Sequence, residues 1–391
     1  MRQLLNGNEA AALAAKLARV QVVSAYPITP QTVVVETLAK YVADGELEAE
    51  FVKVESEHSA LSVCLGASAT GARAFTATSS QGLMLMSEIL YVVSGMRLPV
   101  VMANANRSLS APLSIWNDQQ DSLAVRDSGW IQLYCENNQE ILDLLLQAFR
   151  LSELLSLPTM VCYDGYILSH TSEAVEVPEQ AEVDSFLPPY SPPLKLDPGR
   201  PLTLGPVGVP EVYTEARYMQ HRDMRRAKEE FVRVAEEFGK RFGRRYGILE
   251  EYRTEGAEVL LFTMGSLAGT AKEVVDRCRE RGERVGLVKL TLYRPFPDRE
   301  VVEALAGARV VGVLEKDIST GWMGALYTDT VAAFANEGRR PLFQDFILGL
   351  GSRDVTAEDL EGIVRTLRRE AEEGRVGENP TWVGLKREMV E

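Results

Sequence analysis

The amino-acid sequence predicts an α/β protein, a parallel-sheet domain followed by a second α/β module. Three observations carry this reading. Over the first 170 residues, short apolar runs alternate with longer helical patterns. Eight of the eighteen prolines then fall between Pro188 and Pro210. The alternation resumes near Ala257. Strands that are apolar along their whole length, separated by helices, indicate a parallel sheet covered on both faces.

The elements follow in order. Val20–Ala25 reads as a strand and Thr32–Val42 as the helix after it. Phe51–Val54 is a second strand, followed by a helix from about Ser59 to Ala69. Ala74–Thr78 and Leu98–Ala103 are strands with the helix Leu83–Val93 between them. Ile131–Cys135 and Thr159–Tyr163 are strands flanking the helix Gln139–Leu155. Proline removes donors and blocks helix, so the stretch from Pro188 to Pro210 predicts an extended wrap. A long charged amphipathic helix is expected over roughly Glu211–Phe242. The second module then reads as strand Val259–Thr263, helix Thr270–Glu280, strand Val285–Leu290, helix Arg299–Leu305, strand Val310–Leu314, helix Met323–Phe334 and strand Phe343–Leu348. Thr356 and Asp359 have the spacing of a capping box that opens a final helix.

Composition excludes several classes. The formal net charge is −14, which disfavours a phosphate backbone as partner. The basic cluster Arg222–Lys228 is interrupted by Asp223 and reads as a solvated helix face. No apolar run approaches the ~20 residues that span a bilayer. The stretch Met1–Leu5 turns polar at Asn6, too soon for a signal peptide. A cytoplasmic location without nucleic acid or membrane partners is therefore expected. Cys64, Cys135, Cys162 and Cys278 form no C-x-x-C pair, so no iron–sulfur cluster is expected on this chain. Cys64 and Cys162 read as buried inert thiols.

No H-E-x-x-H, G-x-S-x-G or Walker A pattern occurs, and Gly349-Leu350-Gly351 reads as a turn. Four polar segments stand out instead. They are Tyr26–Pro30, Glu55–Ser59, Thr78–Gly82, and Asn104–Arg107 running on to Trp116–Asp121. Each lies just past a predicted strand, at the edge where open parallel sheets bind ligands. A shared site accounts for them; so does loop chemistry with capping by Thr29, Ser59 and Ser79.

The motifs Tyr26-Pro27-Ile28-Thr29-Pro30, Ser56-Glu57-His58-Ser59-Ala60, Thr78-Ser79-Ser80-Gln81-Gly82, Ser114-Ile115-Trp116-Asn117-Asp118-Gln119-Gln120-Asp121 and Arg294-Pro295-Phe296-Pro297 resemble those of the alpha subunits of pyruvate and related 2-oxoacid:ferredoxin oxidoreductases. The resemblance runs over nearly the whole chain. It implies a pyrimidine-type thiamine-diphosphate-binding domain in residues 1–240, including the proline-rich arm and long helix. It also implies a transketolase-C-terminal-like domain in residues 241–391. It further implies partners: a beta subunit with the diphosphate and Mg²⁺ site and a [4Fe-4S] cluster, a gamma subunit for coenzyme A, and a delta subunit with further clusters. The implied reaction converts a 2-oxoacid, coenzyme A and oxidised ferredoxin into acyl-CoA, CO₂ and reduced ferredoxin. Pyruvate is the expected 2-oxoacid, with branched-chain 2-oxoacids the competitors. Thr29 separates the motif from an oxalate-type site. A non-redox thiamine half-site and an inactive scaffold are the rival readings.

The resemblance also assigns residues. Glu57 matches the glutamate that holds a proton at N1′ of the aminopyrimidine, which promotes removal of the C2 proton. Pro27 and Ile28 are expected beside the cofactor. Thr29 and Arg107 match the pair that holds the substrate carboxylate, a role suited to the fixed donor fork of arginine. Asp118 and Asp121 could orient neighbours or serve as ordinary turn residues. His58 reads as helix-start packing, and Leu83, Met84, Met86 and Leu90 as core or subunit interface. A large interface is expected near residues 57–100.

Overall fold

The computed structural model describes residues 1–338 and 340–390. A seven-stranded sheet forms the first layer system, in the order Leu292–Arg294, Ile131–Tyr134, Thr159–Asp164, Val101–Asn106, Ala74–Thr78, Val22–Ser24, Glu50–Val52. All neighbours run parallel except Leu292–Arg294, which pairs antiparallel with Ile131–Tyr134. A six-stranded sheet follows, in the order Thr381–Trp382, Leu342–Ile347, Val310–Glu315, Val259–Met264, Val285–Leu290, Leu249–Tyr252, with only the last strand antiparallel. A two-stranded ribbon, Arg2–Leu5 with Glu173–Glu176, closes one flank. The edge strand Leu292–Arg294 therefore stitches the second module into the first sheet.

The cores explain the layering. One face of the first sheet packs against helices Gly7–Leu17, Asn138–Leu155 and Pro210–Phe242 through Ala11, Leu145, Phe149, Phe231 and Phe238. The other face shares a core with the second module, from Leu61, Leu83 and Trp130 to Phe262, Val288 and Phe334. The helix Pro210–Phe242 has proline in its first turn and ends at Gly243 in the left-handed conformation, the arrangement that starts and stops helices most readily. The Thr356–Asp359 capping box is present at the start of helix Ala357–Glu373. The proline-rich stretch lies along the first module, where Leu196 N donates to Ala69 O at 2.8 Å.

Several elements differ from the sequence expectation, among them three in the first module. The helix expected over 83–93 is two helices, Ser80–Leu85 and Ser87–Gly95, meeting at Met86. The strand expected over 98–103 spans Val101–Asn106, because Asn104 to Asn106 pair in register with Cys162 to Asp164. The helix Gly7–Leu17 was not expected at all. Its run of buried alanines lacks the polar face that marks an amphipathic helix. Leu83, Met86 and Leu90 are buried core, while Leu85, Tyr91 and Val92 remain exposed on the same helices.

Candidate functional site

The strands of the first sheet end their parallel run at one edge, and the four polar segments meet there. Ser56 caps helix Glu57–Ala69 by accepting from Ser59 N at 3.2 Å, which places Glu57 in the first turn. The Glu57 side chain is buried and makes no hydrogen bond among the described residues. It lies against Gly82, where an added Cβ would come within 2.7 Å of Glu57 Oε1 and 2.6 Å of Thr78 Oγ1. Thr78 Oγ1 is itself buried without a partner among the described residues. Glu55 points elsewhere, exposed and hydrogen-bonded to Ser59. His58 sits on the surface, 3.6 Å from Glu88.

The Tyr26–Pro30 segment is fixed from beneath. Gln31 Nε2 donates to Tyr26 O at 2.9 Å and to Ala77 O at 2.8 Å, and Asn8 Nδ2 donates to Pro30 O at 2.8 Å. Tyr26, Pro27 and Thr29 stay exposed, Ile28 half-buried. Arg107 approaches from the next segment. Its Nη1 donates to Thr29 O at 2.9 Å and its Nε to Ser114 O at 2.8 Å, leaving Nη2 without a partner among the described residues. Burial lowers the Arg107 pKa from its ordinary value, opposed by Tyr166 and Asp121.

Asp121 is the hub behind this pair. It is fully buried and accepts from Asn106 Nδ2 at 2.7 Å, Ser122 N at 2.8 Å, Ser80 N at 2.9 Å, Arg107 N at 3.1 Å and Asn104 Nδ2 at 3.2 Å. Burial pushes its carboxyl up to about 6 against those donors. Ser80 sits at φ 49°, a left-handed conformation this bond helps to hold. Asp118 accepts from Ser108 Oγ at 2.6 Å and is raised by burial.

The second module closes the site from behind. Asp164, at the end of its strand, meets Lys316 Nζ at 3.0 Å and Ser266 N at 3.0 Å. Burial works to raise the Asp164 carboxyl, but Lys316 and Ser266 hold it below its usual range. Gly265 lies at φ 73°, where a Cβ would come 2.7 Å from Gln119 Nε2. The carboxyl ends of the two sheets thus face each other across the 117–121 loop.

Sequence reasoning placed Asn104 and Asn106 in the fourth polar segment without giving either a role, and it missed Asp164, Ser266 and Lys316. Alternation within Val101–Asn106 puts Asn104 and Asn106 on one face of a strand end, a readable signal. Asp164, Ser266 and Lys316 carry no local signal, because their partners lie 102 and 152 residues away. Elsewhere, Cys64, Cys135, Cys162 and Cys278 are buried. Burial pushes the Cys64 thiol up to about 12.

The residues fit the edge of a protonated heteroaromatic ring. The Glu57 carboxyl, the orphaned Thr78 hydroxyl and Gly82, which has no side chain, lie together beside an exposed loop. No helix among the described residues is long and apolar enough to cross a membrane.

Comparison with known proteins follows the same lines. A family described as "Pyruvate flavodoxin/ferredoxin oxidoreductase, thiamine diP-bdg" matches residues 13–236, and one described as "Pyruvate:ferredoxin oxidoreductase core domain II" matches residues 257–360. Fold and site together define a thiamine-diphosphate-binding subunit of an oxidoreductase. The chain belongs to the pyruvate:ferredoxin oxidoreductase family, enzymes built from several subunits. It is 52% identical to the pyruvate synthase subunit PorA of Pyrococcus furiosus, over 100% of this chain and 99% of that one. It is 52% identical to the PorA subunit of Methanothermobacter thermautotrophicus, over 99% of both chains. Identity to the ketoisovalerate oxidoreductase subunit VorA of Pyrococcus horikoshii is 45%, over 99% of both. The fold matches a solved 2-oxoglutarate:ferredoxin oxidoreductase from Magnetococcus marinus with a TM-score of 0.71 at 23% identity, over 95% of this chain. This chain spans 65% of that one's length.

Proposed function

We propose that this chain is the alpha subunit of a cytoplasmic pyruvate:ferredoxin oxidoreductase. The complex converts pyruvate, coenzyme A and oxidised ferredoxin into acetyl-CoA, CO₂ and reduced ferredoxin. Residues 1–240 form the pyrimidine-binding-type domain and residues 241–391 the transketolase-C-terminal-like domain. The beta subunit supplies the diphosphate and Mg²⁺ site and a [4Fe-4S] cluster; gamma and delta subunits complete the enzyme.

One observation carries the reading. Glu57, a buried residue whose carboxyl makes no hydrogen bond among the described residues, shares a sheet edge with a guanidinium joined to a threonine, Arg107 and Thr29. Bound thiamine diphosphate supplies the carbon nucleophile and the electron sink for decarboxylation. Glu57 holds and returns the proton at N1′, with Pro27 and Ile28 beside the ring. Arg107 Nη2 and the Thr29 hydroxyl hold the substrate carboxylate and aim the 2-keto carbon. That carboxylate leaves as CO₂, so an ion pair to it is stronger before decarboxylation than during it. Arg107 therefore acts by binding and orientation.

Pyruvate is favoured over branched-chain acids by the 52% identity to pyruvate synthase subunits against 45% to the ketoisovalerate subunit. The test is coenzyme-A-dependent viologen reduction by the purified complex with a panel of 2-oxoacids. The expected result is the highest kcat/KM with pyruvate and no turnover by this chain alone. A preference for 2-ketoisovalerate would reassign the substrate. Turnover independent of coenzyme A would point to a non-redox thiamine enzyme.

A further inference from the structure

The loop from Ser108 to Asn117 rises from the sheet edge beside Arg107. Its tip is exposed, and Leu113 and Trp116 are among its exposed apolar residues. Its contact with the anchor is direct, since Ser114 O accepts from Arg107 Nε at 2.8 Å. What fixes the loop comes largely from the second module. Asn117 N donates to Ser352 Oγ at 2.7 Å, and Ser352 N donates back to Asn117 O at 2.6 Å. Lys316 Nζ reaches Asn117 Oδ1 at 3.2 Å, and Lys316 O accepts from Gln119 N at 2.8 Å. Asn117 Nδ2 donates to Asn106 O and to Asp164 Oδ1, both at 3.2 Å. Every polar atom of Asn117 is thereby engaged.

The gripping segment is unusual in its backbone. Gly349, Gly351 and Ser352 all lie in the left-handed region, at φ 65°, 59° and 57°. Glycine adopts that region freely; serine does so at a cost, and such residues persist where surrounding contacts over-determine them. Here the contacts are the reciprocal bonds to Asn117. Gly351 approaches closely too. Its N donates to Asp118 Oδ2 at 3.3 Å, and a Cβ there would lie 3.6 Å from Ser114 Oγ. The Gly349–Gly351 turn is thus shaped to dock against the loop.

We infer that Ser352 is a positioning residue for the substrate-carboxylate site: it holds the 108–117 loop from the second module and thereby sets the orientation of Arg107. The inference rests on the reading of Arg107 as the carboxylate anchor. Ser352 touches no reacting atom. It acts through Asn117 and Ser114, so its loss should loosen binding of the 2-oxoacid without touching coenzyme A.

Ser352→Gly in the assembled enzyme is the test, because glycine keeps the left-handed backbone and removes the hydroxymethyl side chain that bonds Asn117. Loss of one part-buried hydrogen bond predicts a KM for pyruvate raised roughly three- to ten-fold, with kcat changed less than about two-fold. The KM for coenzyme A should not move. Hydrogen exchange at the amides of 108–117 should accelerate, and Ser352→Asn, which tolerates the same backbone and restores a side-chain oxygen, should recover part of the loss. Arg107→Ala runs in parallel. If it raises the pyruvate KM while Ser352→Gly does not, the positioning role is overturned and the anchor stands. If Arg107→Ala also leaves KM unchanged, the anchor reading fails. Unchanged amide exchange in Ser352→Gly would then overturn the grip on the loop as well.

Discussion

Arg107 Nη1 donates to the carbonyl oxygen of Thr29 at 2.9 Å, across 78 residues of sequence. The bond joins two loops from different strands into one cationic corner. Arg107→Ala removes both the corner and its charge. A substrate carboxylate losing such a partner loses on the order of 2–5 kcal/mol of binding. KM for the 2-oxoacid should rise strongly and kcat fall less, with Arg107→Lys a partial rescue because the planar fork is lost. Direct substrate-binding measurements check this; an unchanged affinity in the alanine variant would remove Arg107 from the anchor role.

Glu57→Gln should keep the fold and nearly abolish exchange of the thiamine C2 proton. Glutamine fills the same space beside Gly82 and still hydrogen-bonds, but it cannot pass a proton to N1′. Hydrogen–deuterium exchange at C2 in the variant complex reads this out. Exchange at the wild-type rate would sink the assignment.

Asp345→Asn should stabilise the protein at neutral pH. Three buried carboxyls, Glu315, Asp317 and Asp345, converge on the amides of residues 324–327 at the start of helix Ala325–Ala333. Burial pushes Asp345 up to about 6, and Asp345 in turn raises Glu315. The sign follows from linkage. A carboxyl whose pKa is higher folded than unfolded favours the folded state while protonated. That advantage is lost as pH climbs from about 4 to about 6. Asparagine keeps the acceptor for Gly324 N and removes the charge. The gain should be about 1–3 kcal/mol at pH 7.5 and should fall to about half of that at pH 5. Denaturant unfolding at the two pH values measures it; a gain equal at both would refute the charge argument.

Lys289→Met should destabilise the junction between the modules. Lys289 is 2% exposed, and its ammonium lies 2.6 Å from Glu140, 2.8 Å from Glu136 and 3.0 Å from Glu250. Burial opposes its charge, but Glu140 and Glu136 raise its pKa well above the ordinary lysine value. Removing it strands the buried Glu140 carboxylate, while Lys272 still pairs with Glu136 and Glu250, a loss of about 3–5 kcal/mol. Adding Glu140→Gln should recover a good part of that loss. Thermal unfolding of the two variants decides between a true ion-pair network and a passive surface cluster.

How far the fold was legible depended on the physics of each element. Ala74–Thr78 and Val285–Leu290 were read to the residue, because strands buried along their whole length read as mostly apolar runs bounded by turns. The edge strands Leu249–Tyr252, Leu292–Arg294 and Thr381–Trp382 were not read, because pairing rather than composition makes them strands. Helix Gly7–Leu17 had one signal that was passed over, the Asn6–Glu9 capping box. Within the site, Glu57, Thr29 and Arg107 were legible as motif residues. Asp121 was legible only as a residue that either orients its neighbours or serves in a turn, whereas five donors make it a buried hub. Ser352 was invisible, since its partner Asn117 lies 235 residues away.

Gly82 has a consequence for how this sequence can drift. A single methyl there would collide with the side chains of both Glu57 and Thr78. Alanine, the mildest replacement available, would either push the carboxyl out of its slot or unwind the start of the next helix. Position 82 therefore has no neutral neighbour in sequence space, while the exposed Leu85 one turn further on has many. In a saturation library selected for growth on this enzyme, the tolerance profile of this short helix should fall to a single permitted letter at 82 and broaden again by 85.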